Sequence, residues 1–340
     1  MNPLNQPAWQ RVLLSSWQHR GWLSVLLRPL SWLMWLLLKL RLWLYQFGML
    51  RSVGVHVPVI VVGNVVVGGA GKTPLVACLA RHLQQQGWHP GVISRGYGRS
   101  SEGCHEVMAA SSAQELGDEP VLLARTLELP VFVAPRRIEA AKALLQHHPQ
   151  TNVLICDDGL QHLALKRDLE ICVFDGRGLG NGLLLPAGPL REPWPRQVDW
   201  VLRPDSVRNL GGFKIERRLQ PLARRGDGTL KKLADFMDAG QPPLMAIAGT
   251  ANPQSFFNML RELGLTLSKT LALPDHFDFS GWQAPTDQPY ALLCTEKDAV
   301  KLWEFHQQAW AVGLEVEVES GFLTELDQRL ARIVTPTLSS

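Results

Sequence analysis

The stretch from Val59 to Leu79, VIVVGNVVVGGAGKTPLVACL, decides the fold class of this 340-residue chain. It opens with an apolar, β-branched run, Val59 to Val62, which predicts a buried strand. A glycine-rich loop follows, and a helical pattern begins at Pro74, directly after Lys72 and Thr73. Strand, glycine loop, Lys-Thr and helix is the order of a phosphate-binding loop, because loop N–H groups and the helix dipole both attract phosphate.

The loop predicts which residues hold the nucleotide. Lys72 would reach the β- and γ-phosphates of ATP, and the Thr73 hydroxyl would bind Mg²⁺. The strict motif has a glycine where Val66 stands, and the extra lysine of partition-type ATPases would fall at Val67. A chance glycine-rich turn is the alternative. The expected nucleotide-binding residues are Val66, Val67, Gly68, Gly69, Ala70, Gly71, Lys72 and Thr73.

A second apolar run, Val153 to Cys156, ends in Asp157 and Asp158. An apolar strand closed by aspartate, after a phosphate-binding loop, is the arrangement that holds Mg²⁺ in nucleotide hydrolases and kinases. Neighbouring residues of a strand face opposite ways, so we expect one carboxylate on the metal side and the other turned to the loop or water. A merely polar strand end is the alternative. Gln161 and His162 extend this cluster.

Three further segments carry polar residues at positions where ligands bind. Arg95 and Arg99 lie in the loop after a strand at 92–93, and their planar donor groups suit phosphate. Asp118, in the sequence GDEP, stands near a helix start, where spacing alone favours an N-cap. His276, in DHFDF, is flanked by carboxylates that could tune it as an acid or base, although a surface loop is the commoner reading of such a segment.

Charge is distributed unevenly along the chain. The net charge is only +3, so the total gives no argument for a nucleic-acid partner. However, the first acidic residue is Glu102, and an N-terminal third without carboxylates favours nucleotide phosphates or an anionic membrane surface. The five cysteines have no metal-ligand spacing, which predicts reduced thiols and a reducing compartment.

The segment 21–51 is rich in leucine and tryptophan, and its longest uncharged run, Pro29 to Leu38, is shorter than the ~20 residues that span a bilayer. On a helix, tryptophans share one side with Arg28 and Lys39, and leucines take the other. This distribution is typical of a helix that lies at a membrane interface. A helix inside a soluble core is the alternative.

The chain is long enough for two modest domains after this segment. We expect a membrane-associated segment over 1–54, a nucleotide-binding core over 55–205 and a smaller α/β subdomain over 206–340. A strand near Val201 would be the last of the core, and the polar stretch from Asn209 to Gly228 would form a hairpin or linker. Alternating strands and helices predict a P-loop NTPase-like α/β fold with a mostly parallel sheet.

Seven motifs in order give the chain a close resemblance to the lipid A 4′-kinases, or tetraacyldisaccharide 4′-kinases. These motifs are GNVVVGGAGKTP, SRGYGR, GDEP, DDGLQH, PAGPLREP, DHFDF and TEKD. The resemblance implies that ATP phosphorylates the 4′-hydroxyl of a tetraacylated glucosamine disaccharide 1-phosphate, giving lipid IVA. It also implies a location on the cytoplasmic face of an inner membrane, and a monomer is expected.

The resemblance also assigns roles to residues. Lys72, Asp118 and His276 would be catalytic, the latter two as the pair that takes the proton from the sugar hydroxyl. Asp157 and Asp158 would form the metal side with Thr73, helped by Glu192. The substrate contacts expected from the motifs are Asn64, Arg95, Tyr97, Arg99, Gln161, His162 and Arg191. The competing interpretation is a membrane-recruited P-loop switch ATPase that has no lipid acceptor.

Overall fold

A computed structural model describes residues 8–69, 71–238, 240–285 and 288–334. Its helices are α1 Ala8–Gln18, α2 Trp22–Leu26, α3 Arg28–Gln46, α4 Lys72–Gln85, α5 Ala113–Leu116, α6 Asp118–Thr126, α7 Arg137–His147, α8 Pro253–Glu262, α9 Glu296–Leu302 and α10 Ser320–Val334. The strands of the first half are β1 Val59–Gly63, β2 Pro90–Ser94, β3 His105–Glu106, β4 Val131–Val133, β5 Val153–Asp157, β6 Leu169–Val173 and β7 Trp200–Arg203. Those of the second half are β8 Phe213–Arg224, β9 Leu230–Lys232, β10 Leu244–Ala248, β11 Leu267–Ala272, β12 Ala291–Thr295 and β13 Trp310–Val318.

The strands form one mostly parallel sheet, as the alternation of strands and helices predicts. Its order is β11-β10-β12-β13-β8-β7-β6-β1-β5-β2-β4-β3, and β9 pairs with β8 outside this row. The strand β1 lies between β5 and β6, and Val62 pairs with Asp157 in register. The phosphate-binding loop and the acidic end of β5 therefore leave the sheet side by side.

In the first half of the chain, helices cover both faces of this sheet. All five residues of β1 are buried, as its continuous apolar run predicts. One face packs against α4 and α10, and Phe322 of α10 contacts Trp200 edge-on at 5.6 Å between ring centroids. The other face packs against α7. The helix α10 therefore completes the core of the first half.

The prediction for Asn209 to Gly228 is only partly right. Its end does form a hairpin with β9, but most of it is the 12-residue strand β8, which is parallel to β7 and antiparallel to β13. The sheet therefore runs without a break past residue 205, and the strand near Val201 is not its last. The division into units at 54 and 205 stays a prediction.

The helix α3 lies on the surface rather than in a core. Large apolar side chains are exposed on both of its sides, including Trp32 at 70% and Leu33 at 53%. The alternative of a core helix is therefore wrong. A continuous apolar surface of this kind is typical of a docking face for a membrane or another protein. No helix in the described part of the chain is both long and apolar enough to cross a bilayer.

Candidate active site

The phosphate-binding loop turns into α4 through Gly71, which has a left-handed backbone with φ of 70°. A Cβ atom at this position would also lie 2.5 Å from Nε of Arg217, so glycine avoids both the backbone strain and a displacement of that side chain. Lys72 and Thr73, the first two residues of α4, are both buried. Their side chains are thus fixed at the helix N-terminus, where phosphate binds.

Two side chains outside the expected nucleotide-binding set, Arg177 and the expected substrate contact Asn64, hold the loop in shape. Arg177 donates to the carbonyl oxygens of Val67 and Gly69, each at 3.3 Å, and pairs with Asp175 at 2.7 Å. Asn64 crosses the loop and donates to the carbonyl of Gly68 at 3.3 Å. The loop carbonyls therefore point to these donors, which favours an inward turn of the N–H groups.

Not every residue of the expected nucleotide-binding set faces a phosphate. The Val67 N–H donates to the Pro189 carbonyl at 2.9 Å, so this N–H is already used. Val66 is buried and forms a bridge with Leu190. These two residues support the loop from the side of the Pro-rich segment. Ala70 lies outside the described residues.

The carboxylate of Asp158 lies between two cations. Its Oδ1 is 3.5 Å from Nζ of Lys72 and 3.2 Å from Nη1 of Arg191, and its own carbonyl accepts a bond from Arg137 at 3.0 Å. Burial alone would raise the pKa of Asp158, but Lys72 and Arg191 outweigh it and hold the pKa below its usual range. Asp158 also has a left-handed backbone, with φ of 49°. The residue is thus an ionised partner of the phosphate-binding lysine.

Asp157 has the opposite surroundings, although it is the next residue. It is fully buried, and neither carboxylate oxygen has a hydrogen-bond partner among the described residues. Burial raises its pKa to about 7, and the nearby carboxylate of Glu119 acts in the same direction. A buried acceptor without a donor is costly unless a cation meets it. The donor set of Asp157 and the Thr73 hydroxyl therefore fits Mg²⁺, which binds one or two carboxylates together with phosphate oxygens.

Glu192 is held in a network of its own. It accepts hydrogen bonds from Gln161 at 2.6 Å and from Arg196 at 2.7 Å. Gln161 also donates to the carbonyl of Asn64 at 2.9 Å, next to the phosphate-binding loop. Within the described structure, no cluster of three or more His, Cys, Asp or Glu is arranged to hold a metal ion. The expectation that Glu192 helps the metal side stays a prediction.

Asp118 and His276 meet although they are 158 positions apart in the sequence. Nδ1 of His276 lies 3.0 Å from Oδ2 of Asp118, and Nζ of Lys301 lies 2.8 Å from the same oxygen. Burial alone would raise the pKa of Asp118, but hydrogen bonds from His276 and Lys301 outweigh it and hold the pKa below its usual range. The N-cap of α6 is Gly117, and no side chain caps that helix. The N-cap interpretation of Asp118 is therefore wrong.

Lys297 faces the other side of His276. Its Nζ lies 2.9 Å from Asp275, 3.3 Å from Glu119 and 3.4 Å from Nε2 of His276. Burial lowers the pKa of Lys297, but the two carboxylates outweigh it and raise the pKa. An ammonium group can only donate, so its contact with Nε2 favours the tautomer that carries the ring proton on Nδ1, facing Asp118. The ring of Tyr97 packs on that of His276, 5.1 Å away between centroids.

The remaining expected substrate contacts lie at the edge of this region. Arg95 and Tyr97 are exposed, whereas Arg99 donates to the Gly103 carbonyl within its own loop at 2.7 Å. The buried Nε2 of His162 has no partner among the described residues. Burial, and then the positive charges of Arg137, Arg167, Arg41 and Arg95, lower the pKa of His162 to about 4. His162 is therefore a neutral side chain surrounded by arginines.

A cavity of about 230 Å³ joins the two clusters. Lys72 and Thr73 lie on its wall together with Glu119, Asp275 and Lys297. The phosphate-binding loop and the neighbours of His276 thus open into the same space. A phosphate-binding lysine on the wall of this cavity, and close by a carboxylate suited to a metal and a carboxylate–histidine pair, are the components of a phosphoryl-transfer site.

Comparison with known proteins identifies the family. The family model described as tetraacyldisaccharide-1-P 4′-kinase matches residues 23–331. The chain belongs to this family. A tetraacyldisaccharide 4′-kinase of Acidovorax sp. (strain JS42) is 54% identical over 94% of this chain and 95% of its own. One of Delftia acidovorans (strain DSM 14801 / SPH-1) is 48% identical over 98% and 99%.

A solved structure agrees with this assignment. LpxK from Aquifex aeolicus, crystallised in complex with ATP, is similar with a TM-score of 0.78 and 31% sequence identity. The similarity covers 92% of this chain and 99% of that one. The resemblance drawn from seven motifs is therefore confirmed. The predicted fold class and the predicted activity, that of an ATP-dependent 4′-kinase of lipid A biosynthesis, are confirmed as well. ATP with Mg²⁺ is the cofactor pair that membership of this kinase family implies.

Besides Arg177 and Lys297, sequence reasoning missed three groups in this tetraacyldisaccharide 4′-kinase site. Arg137 is the first residue of α7, just after the short turn that follows β4, a position that could have singled it out. Arg217 lies beside Gly71 but belongs to β8, which was expected to be a hairpin or linker. Lys301 lies one helical turn after Lys297 on α9, a spacing that places both on one face toward His276.

Proposed function

We propose that this chain transfers the γ-phosphoryl group of ATP to the 4′-hydroxyl of an acylated glucosamine disaccharide 1-phosphate in the cavity between Lys72 and Lys297. The observation that carries the proposal is the hydrogen bond between Asp118 and His276, beside the cavity that also holds the phosphate-binding lysine. A switch ATPase has no need of such a pair, whereas a sugar hydroxyl is a weak nucleophile that needs a base.

In this proposal the phosphates are held by the first turn of α4. Lys72 neutralises charge on the β- and γ-phosphates, and Arg191 and Arg137 fix Asp158 beside it. Asp157 and the Thr73 hydroxyl would hold Mg²⁺, whose contribution is to neutralise negative charge on the phosphate oxygens. Phosphoryl transfer depends mainly on such positioning and charge stabilisation.

The base is Asp118. His276 and Lys301 both bond its Oδ2, and among the described residues no donor bonds Oδ1. Oδ1 therefore accepts the proton of the 4′-hydroxyl as its oxygen attacks the γ-phosphorus. His276 keeps its own proton on Nδ1 and orients the carboxylate, which ties a residue of the second half to the reaction. Closure of residues 206–340 over 55–205 would thus assemble the base around its substrate.

The acceptor also accounts for the N-terminal helices. Acyl chains leave a bilayer at a cost of about 0.8 kcal/mol per CH₂ group, so the enzyme must work at the membrane surface. The exposed Trp and Leu side chains of α3, and a stretch without acidic residues before Glu102, suit an anionic surface. We place the enzyme, as a monomer, on the cytoplasmic face of an inner membrane, where ATP is available.

The experiment that tests this function follows the label of [γ-³²P]ATP. The purified chain is incubated with Mg²⁺ and detergent-dispersed tetraacyldisaccharide 1-phosphate, and separately with an acceptor that lacks the 4′-hydroxyl. We expect label in the first lipid and none in the second. Label released as free phosphate at the same rate with either lipid would contradict the proposal and favour the switch ATPase. Flotation of the same protein with phosphatidylglycerol vesicles tests the membrane part separately.

A further inference from the structure

The segment from Arg177 to Glu192, here called the connecting segment, is attached to the N-terminal helices by buried polar groups. Asn181, 5% exposed, directs the two hydrogens of its Nδ2 at three acceptors, the Ser16 carbonyl (3.1 Å), the Ser24 hydroxyl (3.1 Å) and the Ala187 carbonyl (2.9 Å). Its own N–H donates to the Trp17 carbonyl at 2.7 Å. One side chain thus joins α1, α2 and the connecting segment.

Ser31 makes a second joint of the same kind. Its hydroxyl donates to the Leu184 carbonyl at 2.7 Å and accepts the Ala187 N–H at 3.1 Å. Among the described side chains of α2 and α3, the buried ones are Ser24 and Ser31, while leucines and tryptophans of α3 face outward. A helix stabilised only by a soluble core would bury its leucines instead. The helices α2 and α3 therefore contact the rest of the protein through buried hydroxyl groups. The apolar side chains of α3 stay exposed, where they can contact a membrane.

The other end of the connecting segment touches the phosphate site. The Pro189 carbonyl accepts the Val67 N–H at 2.9 Å, and the Arg191 N–H donates to the Val65 carbonyl at 2.7 Å. The Arg191 side chain pairs with Asp158 at 3.2 Å. Gly188 packs so tightly on Asn181 that a Cβ atom would lie 2.2 Å from Oδ1. The segment is thus a short, closely packed link between the N-terminal helices and the phosphate-binding loop.

We propose that Asn181 and Ser31 are positioning residues that couple membrane docking of α2 and α3 to the affinity of the phosphate site for ATP. Docking restrains the helices, the two polar joints restrain the connecting segment, and the segment holds Val67 and Arg191 in the geometry that binds phosphate. Coupling of two binding events is reciprocal, so ATP must strengthen membrane binding by the factor by which the membrane strengthens ATP binding. The inference rests on the membrane docking that the proposed function includes.

Two equilibrium constants measured on the full chain test this coupling. The first is the Kd of a non-hydrolysable ATP analogue with Mg²⁺, with and without vesicles of phosphatidylcholine and phosphatidylglycerol. The second is the vesicle affinity, with and without the analogue. For the unchanged chain we expect vesicles to lower the Kd about fivefold or more, the usual lower end of coupling between sites, and the analogue to raise vesicle affinity by the same factor.

The variant Ser31→Ala removes one joint and leaves the exposed apolar face intact. We expect it to float with vesicles as before, while the effect of vesicles on the Kd falls to less than twofold. Ser16→Ala is the matched control, because the Ser16 hydroxyl donates to the Leu13 carbonyl of its own helix at 2.7 Å and, among the described residues, to none of the connecting segment. Asn181→Asp keeps the acceptor for the Leu183 N–H and loses the donor group that faces the three acceptors, so it should uncouple at least as strongly when it folds.

Each other outcome overturns the inference. If Ser31→Ala keeps the full vesicle effect, or lowers ATP affinity equally with and without vesicles, the joint is merely structural. If the unchanged chain floats with vesicles but its Kd for the ATP analogue is the same with and without them, the coupling is absent although the membrane part of the proposed function holds. If the unchanged chain does not float, membrane docking itself is wrong, and the coupling is wrong with it.

Discussion

The two carboxylate clusters of the site differ in how the chain assembles them. Asp157 and Asp158 are adjacent at the end of β5, and the register of Val62 with Asp157 brings them beside the phosphate-binding loop. Asp118, in the first turn of α6, and His276, in a loop of the second half, come from different halves of the chain and meet although they are 158 positions apart. The first cluster is fixed by the pairing of buried strands, whereas the second depends on how one half is seated on the other.

The comparison has a consequence for catalysis. Central strands of a sheet belong to the most stable part of a protein, and loops that join two halves to the least stable part. We therefore expect the phosphate cluster to be preformed and the cluster around His276 to be sensitive to closure. Substitutions in the first should affect ATP, while those in the second should affect turnover of the lipid.

The largest effect is expected for Lys72→Ala. This residue would be the cation on the transferred phosphoryl group, and loss of such a cation costs about 10³–10⁵-fold in rate. kcat/KM for lipid phosphorylation should fall by this factor, and ATP affinity should fall as well. Lys166→Ala, an exposed lysine, is the control. A fall of less than tenfold would contradict the role of the phosphate-binding loop.

Asp118→Asn should follow, with kcat lowered by about 10²–10⁴-fold, the usual contribution of a general base. Because the phosphate cluster does not use Asp118, the Kd for ATP should change little, and the two constants together separate the clusters. Asp227→Asn, in a surface turn where it bonds Thr229, serves as the control. A large loss of ATP affinity would instead assign Asp118 to the nucleotide.

The same difference between the two clusters explains how much of the fold and of the site can be predicted from the sequence. The strand, loop, helix and acidic strand end can be read locally, because each is a short pattern of buried and polar residues. Asp118 alone suggested a helix cap, and His276 alone suggested a surface loop; only the family resemblance paired them. The strand β8 was not predicted because arginines stand between its apolar residues and obscure the pattern of a strand. The apolar residues that it buries are Ile215, Leu219 and Ala223.

Lys301→Met tests the electrostatics of the second cluster. The hydrogen bonds of His276 and Lys301 hold the pKa of Asp118 below its usual range, so a base is available down to acidic pH and is lost as pH falls through that pKa. Without Lys301 the pKa rises, and the acidic limb of the kcat/KM profile should move to higher pH. kcat near neutral pH should fall about tenfold, the lower value for one charged hydrogen bond. An unmoved limb, with Lys232→Met as control, would exclude Asp118 as the titrating base.

The smallest effect is expected at Tyr97, whose ring comes from the first half and packs on His276 of the second half, 5.1 Å away. If the Tyr97 ring holds His276 in position by packing, Tyr97→Phe should retain full activity, since phenylalanine has the same ring face. Tyr97→Ala should lose about two- to tenfold in kcat, the value of one aromatic contact. If Tyr97 instead binds the lipid through its hydroxyl, Tyr97→Phe will raise the KM for the lipid and leave kcat alone. The pair of variants therefore decides whether this residue belongs to closure or to substrate binding.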